Sequence, residues 1–110
     1  MNMEYTHEPN YFFFAHKLAL FLQDHAHKHP QQHADFNLQT IYDLFGQDRA
    51  SSTVNLEGIL NIADEYRVND QVLIHHYHIH YDTHVLHVEF NIDALPYLVS
   101  GATLTYPQVA

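Results

Sequence analysis

The chain has no cysteine, which removes disulfides, thiolate catalysis and every cysteine-containing zinc motif, and which fits a reducing compartment. Glycine is almost as scarce. Gly46, Gly58 and Gly101 are the whole supply, too few and too scattered to cradle a nucleotide phosphate. No nucleophile elbow, paired-histidine zinc-protease motif or internal repeat occurs.

Basic residues are short as well: four Lys and Arg stand against thirteen Asp and Glu, for a formal charge of −9 with histidines neutral. Recognition of a phosphate backbone rests on Lys and Arg, so the sequence argues against direct nucleic-acid binding. The carboxylates form no runs, which leaves little basis for mimicry of DNA. The charge favours instead a basic protein partner, since opposite potentials accelerate encounter. The apolar run at residues 11–22 is broken by His16 and Lys17 and is too short to span a bilayer. Residues 1–4 lack the basic segment of a secretory signal, and the expectation is a cytoplasmic protein without a membrane partner.

Aromatic residues and histidine are abundant. Seven Phe and eight Tyr within 110 residues argue for one folded domain over 1–110, with residues 1–10 as a flexible or docking arm. Half of the twelve histidines fall within residues 71–92, in a pattern with period two. Two β-rich runs, 72–81 and 84–92, flank Asp82-Thr83, the signal of an antiparallel hairpin with a two- or four-residue loop. Either loop sets His80 against Val85, Ile79 against Leu86, His78 against His87, Tyr77 against Val88, His76 against Glu89 and His75 against Phe90. One face then collects Leu73, Tyr77, Ile79, Leu86, Val88, Phe90 and Ile92, with His75 among them. The other collects His76, His78, His80, His87 and Glu89, together with Val72, Ile74, Val85 and Asn91.

Directly opposed residues have Cβ atoms about 4.5 to 5.5 Å apart, within reach of two imidazoles meeting at one ion. His76, His78, His87 and Glu89, with His80 beside them, therefore form a candidate set for a divalent transition metal, Zn or Ni. The same residues would serve equally as a polar face toward solvent or a partner. His25 and His29 have the i, i+4 spacing of a chelating pair, but Pro30 disfavours helical geometry at His29 and predicts that the two splay apart. Basic groups at a helix C-terminus complement its dipole, which is reason enough for Lys28 and these histidines.

Along the chain, residues 11–28 carry Tyr11, Phe14, Ala15, Leu18, Phe21 and Leu22 at helical spacing, and Phe12, Phe13, Ala19 and Leu20 widen that stripe. Asp35 reads as the cap of a second helix through Phe45, with Gly46 as its stop. Residues 47–53 form the most polar, loop-like stretch, and Asp48 and Arg49 within it are candidate partner contacts. A third helix over 54–68 buries Leu56, Ile59, Leu60, Ala63 and Tyr66 and exposes Asp64, Glu65 and Arg67. Asp64 and Glu65 diverge by about 100° on a helix, which suits a partner-facing edge and not an acid/base pair. Asn69-Asp70 turns the chain into the hairpin, residues 93–99 predict a short helix stopped by Gly101, and 103–106 a third strand.

The fold class that follows is α+β: three N-terminal helices packed on one face of a small C-terminal antiparallel sheet made from the hairpin at 71–92 and a strand at 103–106. Three functions compete, in this order. The first is a non-enzymatic binding protein, an inhibitor, immunity or regulatory module acting through protein contacts. The second is a metal-binding protein using the hairpin histidines, with no group placed as a general acid for catalysis. The third is a homo-oligomer, a dimer in the simplest case, that responds to pH. Adding twelve protons to a charge of −9 gives +3, mostly between about pH 5 and 8.

Overall fold

The computed structural model describes residues 7–46 and 55–105, with side chains described from residue 11 onward. Within them the chain is α+β. Helix α1, His7–Lys28, is followed by strand β1, His33–Asn37, helix α2, Leu38–Leu44, and helix α3, Leu56–Ala63. Short strands β2, Arg67–Val68, and β3, Gln71–Val72, lead into β4, Ile74–His80, and β5, Val85–Phe90. Helix α4, Leu95–Ser100, and strand β6, Leu104–Thr105, complete the order.

α1 starts ahead of the Tyr11 expected and buries Ala15, Leu18, Ala19, Leu22 and Ala26 completely, one stripe at 3.6-residue spacing. Tyr11, Phe14 and Phe21 pack at its margin, while Phe12, Phe13 and Leu20 face outward. Its last turn carries His25, His27 and Lys28, with Lys28 paired to Asp24 at 3.1 Å. The His27 imidazole donates from Nδ1 to the Leu98 carbonyl at 3.1 Å, and the Gln23 amide donates to the Ala102 carbonyl at 2.7 Å. These bonds tie α1 to the end of α4, where Gly101 adopts φ +82° and closes the helix as the sequence indicates.

The hairpin forms in the expected register from His76↔Glu89 through His78↔His87 to His80↔Val85, joined by a four-residue turn at 81–84. One residue departs from it. Ile74, not His75, pairs with Phe90, so His75 is an extra residue in a β-bulge. The bulge inverts two assignments: Ile74 goes inward at 4% exposure, and the His75 side chain is 66% exposed. Ile92 also leaves the core, at 59% exposure, because β5 ends at Phe90 and the chain turns toward α4. Leu73, Ile79, Leu86, Val88 and Phe90 are buried as read, with Tyr77 packed at the edge.

The third strand of this sheet is not 103–106. It is β1, in the order β1-β5-β4, with Ala34↔Val88, Asp35↔His87 and Phe36↔Leu86 paired antiparallel. Asp35 is therefore a strand residue, and α2 is capped by Asn37, whose side chain accepts from the Gln39 amide at 2.8 Å. Leu104–Thr105 pairs with Arg67–Val68 in a separate small sheet, β3-β2-β6, and Tyr106 lies outside the described residues. The third helix ends at Ala63, short of residue 68, because 67–68 join that sheet. Its tight turn places Asn69 and Asp70 at φ +51° and +67°, a two-residue turn that Asn and Asp tolerate well.

The inner face of the β1-β5-β4 sheet, with Phe36, Ile79, Leu86, Val88 and Phe90, packs toward the helices, and Phe21 meets Phe36 at 5.3 Å between ring centres. On the outer face His33, Asp35, His76, His78 and His80 are exposed. No described helix is long and apolar enough to cross a membrane.

Candidate functional site

Pairing of β1 with β5 and β5 with β4 sets three rows across the outer face: His33–Glu89–His76, Asp35–His87–His78 and Asn37–Val85–His80. With His75 from the bulge, the face carries six histidines. Of the candidate metal set, His78 stands opposite His87 and His76 opposite Glu89, as the register requires, but the side chains divide into three groups. His78 and His80 lie ring to ring at 4.4 Å. The Glu89 carboxylate accepts from the Gln32 amide at 3.2 Å and lies 3.9 Å from His75 Nε2. His87 turns away from β4 altogether and bonds to β1. Among the described residues no group of three or more His, Asp or Glu side chains stands ready to enclose an ion.

What β1 brings to His87 was not foreseen. Asp35 Oδ1 lies 2.6 Å from His87 Nδ1, and His87 Nε2 lies 3.3 Å from His33 Nδ1. An ionised carboxylate only accepts, so His87 donates from Nδ1, and in the neutral imidazole its Nε2 carries a lone pair. The neutral pair is then joined by the His33 Nδ1–H donating to His87 Nε2, an ordered chain from Asp35 through two imidazoles. The alternation in His33-Ala34-Asp35-Phe36-Asn37 was the available signal for this strand.

These residues line a cavity of 430 Å³ together with His25, His29, Gln31 and Ala34. The expected splaying of His25 and His29 does not occur. The His29 amide donates to the His25 carbonyl at 2.7 Å, which carries the helical turn one residue past Lys28, and the two rings lie 5.0 Å apart. His25 also stands edge-on to Phe36 at 4.8 Å. Pro30 thus ends the helix without separating the pair.

Burial first, and then the neighbouring His29, holds the His25 imidazole below its ordinary range, with Asp24 acting the other way. Its folded value lies below the unfolded one, so on acidification the unfolded chain takes up this proton first, and stability falls as pH drops below about 6.5. Urea midpoints at pH 7.5 and 5.5 will show that fall, and His25→Gln will reduce it; an equal fall in the variant contradicts the assignment.

α3 presents a second surface. Tyr77 reaches from β4 to hydrogen-bond Asn61. Burial, and then the carboxylates of Asp64 and Glu57, push the Tyr77 hydroxyl above its usual range. Tyr81, 56% exposed, is pushed the same way by burial, Glu57 and Tyr42. Asp64 is itself raised by burial and then by Glu65. Of the two predicted contacts, Asp64 therefore sits beside Tyr77 and Glu65 beside Asp64, and neither has an ion-pair partner among the described residues. Asp48 and Arg49 fall outside the described residues.

Both carboxylates lie at the C-terminal end of α3, which has no basic residue in its last turn. Negative charge there opposes the helix dipole. A carboxyl raised above its unfolded value weakens the fold once pH exceeds the folded value, so at pH 7 removing the charge strengthens it. Asp64→Asn will raise stability by about 0.3 to 1 kcal/mol, the range for a surface charge at a helix end. Urea unfolding checks the sign, and a lowered midpoint contradicts it.

Comparison of the chain with protein-family models, with curated proteins and with solved structures finds no match in any of the three.

Proposed function

We propose that this protein is a non-enzymatic binding module, of the kind that inhibits or regulates another protein, and that it engages a basic partner through the flank formed by Glu57, Asp64, Glu65, Tyr77 and Tyr81. The observation that carries this reading is the placement of Asp64 and Glu65. They stand at the negative end of a helix, beside each other and without an ion-pair partner among the described residues, where they weaken the fold. A basic partner relieves that cost on binding. Tyrosine beside the charges adds the broad, amphipathic contact area characteristic of protein interfaces. A formal charge of −9 adds long-range attraction for a basic surface.

The test is a photoreactive phenylalanine derivative placed at Tyr81, with the same probe at Lys17 on α1 as the control, irradiated in the native cell. The expected result is a saturable adduct with one basic protein, specific to position 81, weakened by salt and lost when Glu57, Asp64 and Glu65 are neutralised. An adduct with a second copy of this chain, or only non-saturable labelling indifferent to salt, overturns the reading.

A further inference from the structure

The geometry points to a divalent transition-metal site, of the zinc class, centred on His33 Nδ1 and His87 Nε2, displaced from the hairpin set to the cavity between β1, β5 and the end of α1. Three observations meet there. The two nitrogens are 3.3 Å apart. A hydrogen bond spans that distance. The same distance matches the separation of two nitrogens on one tetrahedral zinc, about 3.3 to 3.4 Å for Zn–N bonds of about 2.0 to 2.1 Å.

The second observation is Asp35. Its carboxylate holds His87 Nδ1 at 2.6 Å, so that in the neutral imidazole the Nε2 lone pair faces His33. A carboxylate behind a ligating imidazole fixes the tautomer and raises the basicity of the donor nitrogen. His33 becomes the second ligand by moving its proton from Nδ1 to Nε2, with no other change of charge.

The third observation is the opposite wall of the cavity, where His29 stands beside His25. His25 is held against Phe36, whereas His29 lies exposed, one residue beyond α1. A rotation of the His29 side chain brings a third imidazole, and water completes the shell. The three donors do not converge as the side chains stand, so closure of the site includes that rotation. Imidazole donors suit Zn²⁺, Ni²⁺ and Cu²⁺, and the acidic chain favours a cation over an anion in this cavity.

The experiment is calorimetric titration of tag-free, chelator-stripped full-length protein with Zn²⁺ at pH 7.5, paired with Co²⁺ absorption as a direct report of nitrogen ligation. One site per chain with micromolar or tighter affinity is expected. His33→Gln and His87→Gln each weaken it at least tenfold, and Asp35→Asn weakens it about 10- to 100-fold by releasing the His87 tautomer. His76→Gln and His78→Gln leave it unchanged. All five positions lie on the outer face, and circular dichroism confirms the fold of each variant; His29→Gln, outside the sheet, provides a further variant that weakens binding without touching a strand. Weak multi-site binding indifferent to His33 and His87, or loss that follows His76 and His78, overturns the site.

Discussion

Replacing Phe90 with alanine lowers stability by about 3 to 5 kcal/mol, the range for emptying a large aromatic site in a packed core. Phe90 is completely buried, and the same position joins three parts of the fold. It pairs with Ile74 across the bulge, its amide donates to the Gln32 carbonyl at 2.7 Å, and it ends the central strand of the sheet. Removing the ring leaves a cavity beneath both edge strands that neighbours on a hydrogen-bonded sheet cannot fill by small shifts. His78→Ala, on the outer face of the adjoining strand, is the matched control and changes stability by no more than about 0.5 kcal/mol. Urea unfolding of the two variants measures the contrast. Similar losses in both would mean that the faces of the hairpin are wrongly assigned.

The hairpin was legible because both strands alternate cleanly, so a slip of one residue would have mixed polar and apolar side chains on both faces. The bulge was hidden for a related reason. His75 and His76 are of the same residue type, and nothing in two adjacent imidazoles states which belongs to a face; only the depth of Ile74 in the core decides it. Strand β1 was obscured by Asp35, which stands before Leu38 and Ile41 much as a helix cap would. Asn37, two residues on, takes that role, and Asp35 is left to meet His87. The candidate metal residues were correctly opposed, yet a register specifies Cβ positions and not rotamers. The partner that draws His87 aside comes from a strand more than fifty residues earlier, a contact no local pattern contains. Likewise the effect of Pro30 on His25 and His29 was read from backbone preference, whereas the turn continues through the His29 amide.

Neutralising the α3 flank by Glu57→Gln, Asp64→Asn and Glu65→Gln will slow association with the proposed basic partner by about tenfold or more at low salt. The physical basis is the spacing of like charges around Tyr77 and Tyr81. Each carboxylate contributes to one local potential, and steering depends on that sum more than on any one contact. Because Asp64 and Glu65 oppose the α3 dipole while Glu57, in its first turn, complements it, the pair Asp64→Asn and Glu65→Gln alone is more stable than the parent while it binds worse. Opposite signs for stability and binding distinguish a functional surface from a merely damaged one.

The most direct measurement is the association rate of the partner captured at position 81, recorded against ionic strength for the parent protein and for this triple variant. The binding reading predicts a rate that falls steeply with salt in the parent, and a slower rate with a shallower salt dependence in the variant. Equal rates with equal salt dependence would show that the acidic–tyrosine flank plays no part in recognition and would contradict the account.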